Sequence, residues 1–158
     1  MTDKMRRLHV LRSIAIIAAP FVFAGGAAAE LGGKAPNIQL DRAQLGAQLQ
    51  TTPHTGRTTY AMTLPNGGSV KEFANPSGAV FAVTWSGPGK PDLRMLLGNH
   101  FKSLQAASAV RNPRFRRVPP HVDQSDLVIQ TGGHMGYFWG VAYVPSLAPT
   151  GFSVADLK

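Results

Sequence analysis

The chain has 158 residues, of which 44% are hydrophobic and 8% aromatic, and it carries a formal net charge of +8. This composition is that of a globular protein of one-domain size, and it excludes the fibrous and intrinsically disordered classes. Because no cysteine occurs, disulfides, thiol catalysis and thiolate metal sites are excluded as well.

The N-terminal residues 1–29 have the pattern of an export signal. A basic leader precedes an apolar run over residues 14–24, and residues 27–29 are all alanine. Small residues in this arrangement are what signal peptidase requires. A membrane anchor would need about 20 apolar residues, so the run is too short to span a bilayer. We therefore predict Sec-type export, cleavage before Glu30, no transmembrane segment after cleavage, and a periplasmic or secreted protein.

Cleavage would remove only part of the positive charge. Residues 1–29 hold four of the 16 basic and one of the eight acidic residues, so 12 minus 7 leaves +5. A basic exported domain favours anionic surfaces such as lipid head groups or acidic polysaccharide. Export separates the chain from most nucleic acid, which argues against nucleic acid as the partner.

The first elements of the mature chain differ in how strongly the sequence specifies them. Residues 30–56 are poor in aromatic side chains, so we expect a loosely ordered segment. Within it a pattern resembling a capping box, which starts at Asp41, predicts a short helix over residues 42–49. From Arg57 the apolar period changes to two, and turn residues interrupt it twice. This pattern predicts three strands, over residues 57–64, 69–74 and 79–85.

The third strand is followed by the strongest helical pattern in the sequence. The strand is apolar on both faces, with Phe81 and Trp85 on the same one, which places it inside a sheet. Pro91 suits the first position of a helix, and an apolar stripe predicts that this helix continues over residues 91–109. Gly98 lies in its middle and indicates either a break or a close packing contact.

Beyond this helix the sequence predicts a loop and a hairpin. Prolines predict a loop over residues 111–124. Strands are predicted over residues 127–131 and 136–144, and Ser153 with Asp156 predicts a capped C-terminal turn. Residues 57–158 would then form a single α+β domain. Its antiparallel sheet would have about five strands, arranged as a three-strand meander, a helix and a hairpin, with one long helix packed on a face.

Several motifs together resemble a known family. The sequences WSGPGKPDLRMLLG and TGGHMGYFWG combine Trp-x-Gly-Pro, Pro-Asp-Leu, Leu-Leu-Gly and Gly-Gly-His-Met. In this combination the chain resembles a family of small exported bacterial proteins classified as domain of unknown function 2844. The resemblance covers about residues 57–156. It implies export and a single domain, and it implies no activity, substrate or catalytic residue.

Three polar residues form the first candidate site. Asp92 follows a Gly/Pro loop, His100 lies on the long helix, and His134 lies in a glycine turn. If they converged, they could act as an acid/base or metal cluster. The alternative is that Asp92 stabilises the first turn of the helix, while the histidines are a helix-surface residue and a turn residue. No helical metal-binding motif occurs in the sequence, so we predict no catalytic residue, no metal and no cofactor.

Two further groups of side chains could bind a ligand. Four arginines around one aromatic residue could bind anions, although a solvated loop is the simpler explanation. Aromatic residues on the strands could line a groove, although such faces usually form the core beneath a helix. The anion-binding candidates are Arg111, Arg114, Arg116 and Arg117, and the groove candidates are Trp85, Tyr137 and Trp139.

These observations favour a non-enzymatic binding or interaction protein of the cell envelope or extracellular space. Its partner would be an anionic envelope lipid, a polysaccharide or another envelope protein. One alternative is a small hydrolase or metal-dependent enzyme that uses Asp92, His100 and His134. Another is a purely structural component of the envelope.

Overall fold

The computed structural model describes residues 30–109 and 119–157 and shows an α+β fold. The helices are Ile38–Leu45 (α1), Leu93–Leu97 (α2) and Phe101–Ala109 (α3). The strands are Gln48–His54 (β1), Arg57–Thr63 (β2), Ser69–Ala74 (β3), Val80–Gly87 (β4), His121–Gln124 (β5), Leu127–His134 (β6) and Tyr137–Tyr143 (β7). They form one antiparallel sheet in the order β1-β2-β3-β4-β7-β6-β5.

The α+β class and the antiparallel sheet are as predicted, but the number of strands is not. The described residues contain seven strands instead of about five, because both edge strands were missed. β1 is polar and exposed along most of its length, and β5 falls within residues 111–124, which were predicted to be a loop. An edge strand needs only one neighbour and little apolar surface, so alternating hydrophobicity does not reveal it.

Residues 30–56 contribute a helix, an edge strand and core side chains. Leu31 and Ile38 belong to the core, with exposures of 2% and 1%. The predicted helix over residues 42–49 is shifted, since α1 ends at Leu45 and Gln48 already begins a strand. Asp41 is buried within α1 instead of capping its start.

The long helix is interrupted at Gly98. A 3₁₀ turn, Gly98–His100, separates α2 from α3. Gly98 adopts a φ of +51°, a region that favours glycine, and a Cβ at this position would overlap the Glu30 side chain. The backbone N–H of Leu31 also donates to the carbonyl of Leu96 at 2.9 Å. Gly98 therefore marks both a break and a close contact, which is made by the N-terminal segment.

A bulge in β4 divides the core between the two faces of the sheet. Phe73 pairs with Ala82 but Ala74 pairs with Val80, so Phe81 is an extra residue in the ladder. Phe81 consequently packs with Phe73 on the face opposite the helices, in a cluster separate from that of Trp85. The prediction that Phe81 and Trp85 share a face was wrong because strict alternation does not survive a bulge.

Different segments cover the two faces. Leu96, Leu97 and Leu104 from the helices pack on what we call the helix face, together with Trp85 and Ile129. The opposite face is covered in part by the C-terminal segment, through Phe152 and the 3₁₀ helix Val154–Leu157. The predicted C-terminal turn is present, with the Ser153 N–H donating to Asp156 Oδ2 at 2.9 Å. Among the described residues, no helix has the length and apolar character needed to cross a membrane.

Candidate functional site

A groove of about 650 Å³ lies between the helices and the β6–β7 end of the sheet. We call it the helix groove. Its apolar lining comes from both layers: Leu93, Phe101 and Leu104 from α2 and α3, and Trp85 and Phe138 from β4 and β7. The volume is within the range of about 300–1,000 Å³ that is typical of small-molecule sites. The groove is therefore large enough for a ligand and not merely a packing defect.

Trp85 lines the helix groove from the sheet, and a glycine makes room for its ring. Trp85 is directly opposite Gly140 on β7, and a Cβ on Gly140 would overlap the Trp85 ring. The ring therefore lies across the neighbouring strand, where it is only 3% exposed. The Trp-Gly pair thus gives the groove a rigid aromatic wall.

Two cationic side chains contact the aromatic rings of the groove. The ammonium of Lys90, an exposed residue that also lines the groove, lies 4.9 Å from the centroid of the Phe138 ring. The guanidinium of Arg94 lies 5.3 Å from the centroid of the Phe101 ring. Both distances are within the range of cation–π attraction, about 6 Å. Lys90 consequently places a positive charge beside an aromatic ring of the groove.

The remaining polar groups of the groove come from α3 and β6. The hydroxyl of Ser108 donates to the Leu104 carbonyl at 2.8 Å, and that of Thr131 donates to the Pro120 carbonyl at 3.0 Å. Gln105 also lines the groove from the exposed side of α3. The groove thus combines apolar walls with a few polar groups, the composition expected of a binding site.

A second tryptophan lies on the opposite face in a similar setting. Trp139 is directly opposite Gly132 on β6, and a Cβ on Gly132 would overlap the Trp139 ring. Here nothing covers the ring completely, and Trp139 remains 44% exposed. Trp139 also borders a smaller depression of about 430 Å³ with Lys71, Ser86 and Val154.

The predicted groove residues are divided between these places. Trp85 lines the helix groove, Trp139 lies at its edge, and Tyr137 is not among the residues that line it. Tyr137 is instead near the tip of the β6–β7 hairpin, where it is 45% exposed. The contributions of Leu93, Phe101 and Phe138 were missed. The sequence showed Leu93 and Phe101 on the apolar stripe of the helix and Phe138 on an aromatic strand. It did not show that a gap lies between the helices and the sheet.

The residues of the predicted polar cluster have separate surroundings. Oδ1 of Asp92 accepts from the backbone N–H groups of Arg94 and Met95, at 2.9 and 3.2 Å, so it caps α2. The His134 ring stacks on Tyr137 with centroids 6.1 Å apart, and its Nδ1 lies 3.0 Å from the Met135 carbonyl oxygen. Each contact is local to the element that carries the residue.

His100 is the last residue of the 3₁₀ turn that separates α2 from α3, and it lies close to the N-terminal segment. Its Nε2 would be 3.7 Å from a Cβ on Gly32. It also contributes to lowering the pKa of Asp126, although hydrogen bonds from the Ser146 hydroxyl and backbone N–H have the larger effect. Within residues 30–109 and 119–157, no three His, Asp or Glu side chains are grouped so that they could bind a metal ion.

The candidate anion-binding arginines, Arg111, Arg114, Arg116 and Arg117, lie outside the described residues. The predicted signal peptide over residues 1–29 lies outside them as well.

A pair of buried carboxyl groups was not anticipated from the sequence. Asp41 on α1 and Glu72 on β3 are both fully buried. The pKa of Glu72 is raised from 4.5 to about 9, mainly by burial and in smaller part by the charge of Asp41 and its side-chain hydrogen bond. Neither residue lines the groove or the smaller depression. We therefore assign the pair to the packing of α1 on the sheet and not to a site that receives a ligand.

The fold and the groove together define a class: an α+β protein whose helices and antiparallel sheet enclose a pocket of small-molecule size. Within this class the chain belongs to the family described as protein of unknown function DUF2844, which matches residues 27–157. The match confirms the resemblance that the motifs indicated. No curated protein and no solved structure matches the chain.

Proposed function

We infer that this chain is an exported, non-enzymatic binding protein whose ligand is an amphiphile with an apolar body and an anionic group. The apolar body would lie in the helix groove, against Trp85 and Phe101, and the anionic group would face Lys90 at the opening. The observation that carries this proposal is the groove itself: about 650 Å³, lined by aromatic side chains from both layers and bordered by a cation.

The charge of the chain agrees with such a ligand. Residues 30–158 carry 12 basic and seven acidic residues, a net charge of +5. This excess attracts anions over a distance, while Lys90 provides a local positive charge next to the groove. Export rests on the leader sequence, and it would bring the protein to the amphiphiles of the cell envelope.

Binding is favoured over the enzyme alternative by how the polar residues are used. Asp92 is engaged as a helix cap, and His134 packs within its own hairpin. Catalysis would require these side chains and His100 to converge on a substrate, whereas their contacts are with three different segments. The groove, in contrast, needs no rearrangement to accept a ligand.

The proposal can be tested with anilinonaphthalene sulfonate, which has apolar rings and one anionic group. The Trp139→Phe variant leaves Trp85 as the single tryptophan, so energy transfer from Trp85 to the probe would report binding in the groove. Replacing both Gln105 and Ser108 with Phe fills the groove and should raise the Kd by about tenfold. A double replacement of Lys102 and Ala106 with Phe is the matched control, because both are exposed on α3 and neither lines the groove.

The charge of the opening is tested separately. Lys90→Gln should weaken the binding of the sulfonate probe but not that of a neutral naphthalene analogue, and Lys102→Gln should change neither. Equal affinity of the groove-filled variant and its control would refute the groove as the binding site.

A further inference from the structure

The tip of the β6–β7 hairpin is the most apolar exposed surface in the described residues. The described residues include five large hydrophobic side chains with substantial exposure, and three of these lie within residues 135–139. Met135 is 96% exposed, and Tyr137 and Trp139 are 45% and 44% exposed. Exposed apolar side chains that lie together, unlike scattered ones, mark an interaction surface. We call residues 135–139 the hairpin tip.

The geometry of the hairpin makes the tip protrude. His134 and Tyr137 form its last pair, so Met135 and Gly136 make a two-residue turn. Gly136 has a φ of +86°, which glycine adopts without strain and which permits so short a turn. Tyr137 and Trp139 then point to the same face because they are two residues apart on one strand. A single convex element thus displays one methionine and two amphipathic aromatic rings.

The hairpin itself carries no formal charge, and two lysines lie close to it. No Asp, Glu, Lys or Arg occurs between Asp126 and Asp156, a stretch that includes the whole hairpin. The nearby charges are those of Lys90, whose ammonium lies 4.9 Å from the ring centroid of Phe138, and Lys71, which borders the same depression as Trp139. An uncharged tip with a lysine beside it is complementary to a bilayer surface, where an apolar boundary adjoins anionic head groups.

We propose that the hairpin tip docks the protein on an anionic lipid bilayer. Met135 enters the boundary between head groups and acyl chains, Tyr137 and Trp139 lie at head-group level, and Lys90 faces the lipid phosphates. Tyr and Trp are enriched at this depth because each has an apolar ring with a polar end. A polysaccharide could stack on Trp139 and Tyr137 but would leave Met135 exposed, so the bilayer accounts for more of the surface.

Docking on a bilayer goes beyond the proposed ligand binding and does not depend on it. It rests on the exposed apolar side chains of the tip, whereas ligand binding rests on the apolar walls of the helix groove, and the two share Lys90 and the edge residue Trp139. The variant with Phe at positions 105 and 108 should therefore keep its affinity for vesicles even though its groove is filled. If that variant lost vesicle binding while a variant of the tip kept it, the groove and not the tip would be the lipid contact.

The test is co-sedimentation of the full chain with vesicles of phosphatidylglycerol and phosphatidylcholine. Met135→Asp should lower partitioning by about tenfold, because it places a charge where an apolar side chain was inserted. Ser125→Asp is the matched control, since Ser125 is exposed in the turn between β5 and β6, at the other end of β6 from the tip. All variants carry the same N-terminal residues, so any contribution of the leader cancels. Partitioning of Met135→Asp equal to that of Ser125→Asp would overturn the proposal.

Brominated lipids provide a second measurement that does not depend on the leader. Both proteins in this comparison carry Phe at positions 105 and 108. The fluorescence of the protein that keeps Trp139 should be quenched more than that of the protein with Trp139→Phe, whose remaining tryptophan is buried. Bromine near the ester end of the acyl chain should quench Trp139 more than bromine near the methyl end. Absence of Trp139 quenching would overturn the proposal, and so would protection of Trp139 by a soluble polysaccharide without any effect of vesicles.

Discussion

The two tryptophans of this protein occupy equivalent places on opposite faces of one sheet. Trp85 lies over Gly140 of the next strand, and Trp139 lies over Gly132 of the strand after that. The helices cover the first ring, which is 3% exposed, whereas the second ring is 44% exposed. The local arrangement is the same, and only the covering layer differs.

This difference explains how one motif can serve both packing and recognition. A glycine opposite a tryptophan lets the ring lie flat on the sheet, which leaves one ring face available. On the helix face that area is used by the core and by the wall of the groove. On the opposite face it stays open to solvent next to the hairpin tip. The contrast predicts large effects of substitutions on the covered side and small effects on the open side.

The largest expected effect comes from truncating the covered ring. Trp85→Ala should lower the free energy of unfolding by about 3–5 kcal/mol, because it removes a fully packed aromatic side chain. Trp139→Ala should cost less than about 1 kcal/mol, since its ring is half-exposed. Chemical denaturation followed by far-ultraviolet circular dichroism measures both. Similar losses in the two variants would show that the rings are equally packed.

A second prediction concerns the carboxyl pair on the covered side. The pKa of Glu72 is ordinarily 4.5 and is about 9 in the folded state, so between these values the folded chain holds a proton that the unfolded chain has lost. The contribution of this group to stability is therefore fully present below pH 4.5 and is lost as the pH rises from 4.5 to about 9. The slope from this group would approach about 1.4 kcal/mol per pH unit.

Glu72→Gln isolates this contribution. The amide is neutral at every pH and can donate to Asp41, so the variant should be more stable than the wild type at pH 8 and should depend less on pH. Asp123→Asn is the matched control, because Asp123 is exposed on β5. Thermal unfolding measured at several pH values would contradict the assignment if Glu72→Gln and the wild type kept parallel profiles.

The smallest effects should come from adding one methyl group beneath each ring. Gly140→Ala places a Cβ against the buried Trp85 ring and should cost about 1–3 kcal/mol. Gly132→Ala meets the half-exposed Trp139 ring, which can move into solvent, so its cost should be below that of Gly140→Ala. Neither glycine has a positive φ, so the comparison isolates packing from backbone strain. A larger loss of stability for Gly132→Ala than for Gly140→Ala would contradict the expectation that the covered face is the more tightly packed.

Much of the local structure could be predicted because it depends on neighbouring residues. The turn after β2 contains the glycines at residues 67 and 68 that predicted it, and the period-two patterns of β2 and β7 predicted both strands. Asp92 caps its helix through backbone N–H groups only two and three residues away. The candidate site was only partly predictable, because Trp85 could be identified as a groove candidate while Phe101 and Phe138 could not.

The sequence by itself determined the family, the α+β class and the central hairpins, since these follow from short-range patterns and specific motifs, whereas the main strand continues two residues beyond its predicted end, to Gly87. Only the tertiary structure decided the edge strands, the bulge at Phe81, the contact of Glu30 with Gly98 and the pairing of Asp41 with Glu72. It also decided which tryptophan is covered. Each of these depends on contacts between segments far apart in the chain, and a periodic pattern records which residues are apolar but not what lies above them.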